Sequence, residues 1–412
     1  MNELLYKNNQ KIIGSIIKLN RINQNISQKD LSKGICVPSY LSRIENGELL
    51  PSDDVLSIIF NKLSLKFNNS EKFIKSGQAS LNSFFENLKF NEFDFTTTLF
   101  SELEQIENEF LTSPLILDYY LAKLARYCST PSREKFESSK NFLLSAFELL
   151  SEKQKYQYNF YLGVDYLNLS NDMSLGKEYM KLALNYKENG HCYYWLSYAY
   201  RVENNPIKAY DSMKKALDLY VTDGNFISIM NSYEKIAEVY FLLDNYNDAI
   251  IHLKKALRMA TTIKNLHYIE HVNSIIAWSY YRLSDFNKSL YYLRLNTAIA
   301  DHRLLIPDAL LETLIYFTKK DYKNLKSSIP KIKNPQTLEQ MDLALVNTFC
   351  ELFNFSLENS NYIKNPKWEE LLLYIIHNVS KFVELKKVFL NLLKNYYVQN
   401  RRYKDAISLL EK

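Results

Sequence analysis

Glycine and proline are scarce in this chain, 8 and 9 residues among 412. Turns and strand ends draw on both, while helix interiors exclude them, so a chain this poor in them is built mostly of helices. No phosphate-binding loop, G-x-G-x-x-G fingerprint or G-x-S-x-G elbow occurs, and eight glycines could hardly build one. Cysteine is as sparse: Cys36, Cys128, Cys192 and Cys350 stand far apart with no C-x-x-C pair. Each reads as a small buried hydrophobe in a reducing compartment. Long apolar runs are missing too, and the opening MNELLYKNNQ has no signal-peptide core. The expected location is the cytoplasm, away from the membrane.

What is present is an ordinary apolar share of 47%, enough for a folded chain. Its length exceeds one compact core and calls for several units or a repeat array. Asn, Ile, Lys and Tyr are in excess, as an AT-rich genome alone would produce, so isolated asparagines carry little weight. The net charge of +5 is uneven. Residues 1–66 hold nine Lys or Arg against six acids, leaving +2 for the other 346 residues. The first segment is therefore the candidate polyanion binder.

Within it, Ile12, Ile13, Ile16, Ile17 and Leu19 recur at helical spacing. Ser27 followed by Asp30 reads as the cap of a short second helix, and Pro38 suits the first position of a third. Leu41 and Ile44 point inward, Gly47 supplies a left-handed stop, and Ser52-Asp53-Asp54 caps a fourth helix. Two short helices joined by a tight turn make a helix-turn-helix, whose second helix enters the major groove. The pattern S-Q-x-x-L…S-x-x-S-R-I-E-N-G-x-x-x-P-S resembles the XRE-type helix-turn-helix of phage repressors. It departs in one respect: Leu31 to Ile44 is one residue short, with Ile35-Cys36 where Gly-Val-Ser is common. A similar I-C-x-x-S-x-x-S-R-I-E-x-G string occurs in PlcR-like regulators. On this geometry Pro38, Ser39, Tyr40 and Arg43 face DNA, with Arg43 the base reader through guanine O6 and N7. Gln28 is expected to touch phosphate and brace the third helix. Glu45 and Asn46 close that helix.

From about residue 156 the chain repeats. Ala209, Ala249 and Ser289 lie 40 apart, as do Tyr200, Tyr240 and Tyr280, and Leu196, Ile236 and Ile276. A fixed period means stacked supersecondary units. One unit, Tyr233, Ile236, Ala237, Tyr240, Tyr246, Ala249, Leu253, Ala256, resembles the tetratricopeptide repeat at nearly every signature position. The template places the first helix of each repeat on a concave face. It turns Asn168, Tyr198, Arg201, Asn231, Glu234, Glu238, His271, Ser274, Trp278, Tyr281, Arg282, Asn391, Asn395 and Gln399 inward. Such a mix suits an extended peptide: Asn for its backbone, aromatics for contact area, Arg for a carboxylate.

One sharper string fares worse. His267-Tyr-Ile-Glu270-His271 spells the inverted zinc-protease motif, but it falls at a repeat junction, where His267 should lie in the turn. No metal, no cofactor and no enzyme is expected.

A helix-turn-helix head followed by tetratricopeptide repeats resembles the RRNPP family of peptide-responsive quorum-sensing regulators. The resemblance implies an all-α chain: an XRE-type head at 1–66, a linker or linker helix at 67–83, and a right-handed repeat superhelix at 84–412. It implies a short signalling peptide in the groove, double-stranded DNA read as paired half-sites, a homodimer, and control of processes such as sporulation or virulence. The alternative is a scaffold or antiactivator whose repeats hold a partner protein while the head localises it.

Overall fold

The computed structural model describes residues 2–66, 68, 70–90, 93–130, 132–296, 307–334, 341–379 and 382–409. Every regular element among them is a helix. By their contacts they form two units, Met1–Ser232 and Tyr233–Lys412.

The first unit begins with α1 (Asn2–Asn23), α2 (Gln28–Ser32), α3 (Pro38–Glu45) and α4 (Asp53–Lys62). Ser27 Oγ accepts the Asp30 N–H, and Pro38 opens α3, where its missing donor costs nothing. Ile16, Ile17, Leu31, Leu41, Ile44, Ile59 and Leu63 are fully buried between the four helices. Two glycines let α1 cross the end of α3. A Cβ on Gly14 would sit 2.1 Å from the Ile44 carbonyl oxygen, and one on Gly47 would sit 2.9 Å from Lys11 Cα. Gly47 also has φ +68°, the left-handed stop expected of it.

Residues after the head form α5 (Glu71–Lys89), which packs through Gly77, Leu81 and Phe84. There follow α6 (Phe93–Gln105), α7 (Glu107–Leu111), α8 (Ile116–Tyr127), α9 (Arg133–Ser145), α10 (Glu152–Asn168), α11 (Met173–Tyr186), α12 (Gly190–Val202) and α13 (Pro206–Asp223). The core of the head runs on into that of α5 and the hairpins beyond it. The Asn68 N–H donates to the Thr112 carbonyl at 2.8 Å, and Lys18 Nζ to that of Ser145 at 3.3 Å.

The last turn of α5 is latched. The Lys89 carbonyl accepts from Asn225 Nδ2 at 2.8 Å and pairs with His191 Nε2 at 3.1 Å, while His191 Nδ1 meets the Tyr220 hydroxyl at 2.9 Å. A carbonyl only accepts, so Nε2 carries the proton and Nδ1 takes the Tyr220 O–H. Burial pushes the His191 imidazole down to about 4, against the backbone bond from Lys89 that favours its charge. The unfolded chain therefore binds a proton near pH 6.5 that the folded chain refuses until about pH 4, and stability falls as pH drops through that window. The linkage is about 3 kcal/mol at its fullest. Thermal melts at pH 7 and pH 5 should separate less in His191→Gln than in the wild type. An equal separation in both would remove His191 from the account.

α14 (Phe226–Leu242) spans the boundary between the units. The second continues through α15 (Tyr246–Thr262), α16 (Leu266–Arg282), α17 (Phe286–Arg294), α18 (Asp308–Lys319), α19 (Tyr322–Ser328), α20 (Leu343–Glu358), α21 (Pro366–Asn378), α22 (Val383–Gln399) and α23 (Tyr403–Ser408). Ala209, Ala249 and Ser289, the small residues of the period, are all fully buried.

Asparagine corrects the sequence reading. Asn205, Asn225, Asn245 and Asn265, with Asp285 after them, recur every 20 residues. Each accepts, through its side chain, the backbone N–H three residues ahead: those of Lys208, Ser228, Asp248, Tyr268 and Lys288. These residues cap the starts of α13 to α17. Before each of them stands a left-handed residue that ends the preceding helix: Asn204, Gly224, Asp244, Lys264 and Ser284.

Candidate DNA interface and repeat-array site

The inner side of α3 is pinned by one carboxylate. Glu45, 1% exposed, receives Arg21 Nε at 2.6 Å and Nη2 at 2.9 Å, and Gln28 Nε2 at 2.7 Å. Arg21 Nη1 also donates to the Ile26 carbonyl at 2.9 Å. One side chain thus ties α1, α2 and α3 together, and the Gln28 amide donor is spent on bracing α3. Lys62 Nζ adds a second tie, donating to the Asp30, Leu31 and Lys33 carbonyls at the end of α2.

The outer side of α3 is open. Pro38, Ser39 and Arg43 are exposed and Tyr40 is half-buried. Arg43 Nε lies 3.6 Å from Glu48 Oε2 with both side chains more than half exposed, a pair that solvent screens and that yields cheaply.

The residues projected inward by the repeat template divide by unit. In the first, Asn168 is exposed and Asn231 half-buried, while the Arg201 guanidinium lies 5.6 Å from the Tyr198 ring centroid. In the second, Glu234 and His271 meet at 3.3 Å, and Lys235 bridges Glu234 at 3.0 Å to Glu238 at 2.7 Å. Burial would raise the Glu234 carboxyl, but Lys235, His271 and the Tyr268 hydroxyl hold it well below the usual range. Ser274 Oγ donates to the Glu270 carbonyl and accepts from Asn296 Nδ2. Asp308, also bonded by Asn296, is raised by burial and by the nearby Glu270 and Glu312 charges. Trp278 offers no surface. It is fully buried in the core that holds Leu311 and Leu314, because its helix packs on α18 at that turn. Tyr281 stacks on it at 5.5 Å, and Arg282 is half-buried beside them. Asn391, Asn395 and Gln399 are exposed along α22. Lys235 and Glu384, which complete these clusters, carry no sequence signal of their own, and Tyr246 reads in the sequence only as a signature position of the repeat; Glu384 lies 102 residues from its partner Arg282 and no spacing announces it.

His267 opens α16 and is exposed, rather than lying in the preceding turn, while His271 is buried against Glu234. The two histidines of the string face different surroundings. Among the described residues no helix is long and apolar enough to cross a membrane.

Residues 17–68 match the helix-turn-helix family model, so the head is a helix-turn-helix domain. Over about four fifths of its length the chain shares the fold of three solved proteins. It is similar to the apo form of the quorum sensor NprR from B. thuringiensis, at 16% identity and TM-score 0.63 over 82% of this chain and 99% of that one. It is similar to the apo form of RapI, at 14% identity and TM-score 0.62 over 80% and 98%. Rap protein complexed with Competence and Sporulation Factor matches at 17% identity and TM-score 0.59 over 82% and 96%. No curated protein matches the sequence. The all-α architecture expected from the motifs, a helix-turn-helix followed by a helical repeat array, is present.

Proposed function

We propose that this chain is a transcriptional regulator of the RRNPP type, which reads paired DNA half-sites as a homodimer in the cytoplasm and senses a short signalling peptide through its repeats. The observation that carries the reading is the division of α3: its inner face is locked by Arg21, Glu45 and Gln28, while Pro38, Ser39 and Arg43 are left to solvent. A helix held this rigidly and exposed on one side is suited to lie in a major groove. The peptide half is supported by the shared fold, since NprR is a quorum sensor and Rap was crystallised with Competence and Sporulation Factor. Sporulation or virulence genes are the proposed targets.

The test is selection of genomic duplexes by the purified chain, wild type against Arg43→Ala. The wild type should enrich discrete promoter sequences, and the variant should bind them about 10- to 100-fold more weakly, the worth of one bidentate base contact. Equal enrichment by both would take Arg43 out of base reading. Enrichment by neither would favour the scaffold reading, in which the repeats hold a partner protein.

A further inference from the structure

Arg282 is already engaged. Its Nη1 donates to Glu384 Oε2 at 2.8 Å, and its Nη2 reaches Asp244 Oδ1 at 3.5 Å. The Tyr246 hydroxyl lies 3.0 Å from each of these two oxygens, sharing its one proton between them. Lys387 Nζ donates to Glu384 Oε1 at 2.7 Å. The guanidinium lies 4.8 Å from the Tyr246 ring centroid and 5.8 Å from that of Trp278. Little water reaches the pair, whose side chains are 17% and 10% exposed. The Trp278 indole N–H in the same cluster is buried and meets no acceptor among the described residues.

An arginine fork, a tyrosine hydroxyl and an ammonium gathered over aromatic rings on the buried Glu384 carboxylate, with the exposed Asp244 carboxylate at their edge, is an arrangement that recognises carboxylate ligands. Here the carboxylate comes from the first turn of α22, far along the chain from α16. A plain structural tie between two helices needs no such cluster of half-buried charges, because apolar residues would join them without the cost of desolvation. A buried indole donor left unmade in the same place also argues that the cluster is not optimised for its present partner.

We infer that Arg282, Tyr246 and Lys387 form a carboxylate-recognition site in the repeat array, filled here by Glu384, and that a carboxylate of the incoming peptide takes Glu384's place. The inference rests on the peptide-sensing reading and adds the chemistry of the ligand. It also gives binding a mechanical consequence. Displacing Glu384 releases the start of α22 from Tyr246 and Arg282, so peptide occupancy is coupled to the placement of the last helices.

Full-length wild type, Glu384→Gln and Arg282→Gln would each be incubated with three synthetic pools of random heptapeptides. One pool has free carboxyl ends and lacks Asp and Glu; a second is amidated and contains them; a third is amidated and lacks both. Peptides retained on the protein are counted by mass spectrometry. A carboxylate-bearing pool should be retained about tenfold better by Glu384→Gln than by the wild type, and lost in Arg282→Gln, as removal of one charge-assisted competitor or anchor requires. Whether the first or the second pool responds tells a terminal from a side-chain carboxylate. Retention of the third pool as strongly as the others, or retention indifferent to Arg282→Gln, overturns the site and leaves the peptide sensor standing. Retention of nothing by any of the three proteins overturns both. If circular dichroism shows Arg282→Gln unfolded, Tyr246→Phe replaces it, with a smaller loss expected.

Discussion

Glu45→Ala should cost the helix-turn-helix head about 3–5 kcal/mol, the usual penalty for stripping one partner from a buried ion pair. The reason lies in what remains. Arg21 would keep its charge with only the Ile26 carbonyl to receive it, and Gln28 would lose the acceptor that fixes α2 against α3. Hydrogen exchange across α1 to α3 is the suitable measurement, since it reads local opening within a chain whose head shares a core with the helices behind it. Protection in these helices should collapse while that of α10 and α11 persists. The double substitution Arg21→Met with Glu45→Leu should recover most of the loss, because two apolar side chains leave no charge stranded. Protection unchanged in the single variant would mean that Glu45 is not the hub its bonds suggest.

Gly14→Ala sets two effects against each other, and their sizes decide the sign. Alanine in a helix interior gains about 1 kcal/mol over glycine. The new Cβ, however, would lie 2.1 Å from the Ile44 carbonyl oxygen, which is backbone and cannot rotate away. The crossing of α1 over α3 would have to open, at the upper end of the roughly 1–3 kcal/mol that overpacking costs. A net loss of about 2 kcal/mol in the head is expected, together with weaker DNA binding as α3 tilts. Urea titration of the variant followed by near-ultraviolet circular dichroism would check it, and a gain in stability would show that the crossing is slacker than it looks.

Much of the architecture was legible because it rests on local rules. Ser27, Pro38 and Gly47 punctuate the head by backbone chemistry that acts within a turn, and all three occupy the positions assigned to them. The 40-residue spacing of tyrosines and small residues sets the phase of the repeats. Gly14 gave no warning, since a glycine in a helix pattern looks the same whether or not another helix passes over it. Glu45 was read as closing its own helix, whereas its partners lie 24 and 17 residues away. Trp278 shows the limit of a template: the repeat position is a groove position, yet α18 covers it here. Arg282 and Glu384 are joined by tertiary structure alone. The asparagines are a different lesson. Their spacing was in plain view, but an excess explained by composition hid a period explained by capping.

Those caps bear on how the array is made. Each reaches only three residues ahead, so it is complete as soon as its own helix begins to wind. No distant strand or later repeat has to arrive first. A nascent chain can therefore set the starting point of each helix in the order of synthesis, one every 20 residues, and pass to the next a neighbour already in register. Four of the five do so with a neutral carboxamide, which writes the punctuation of the array without adding to its charge.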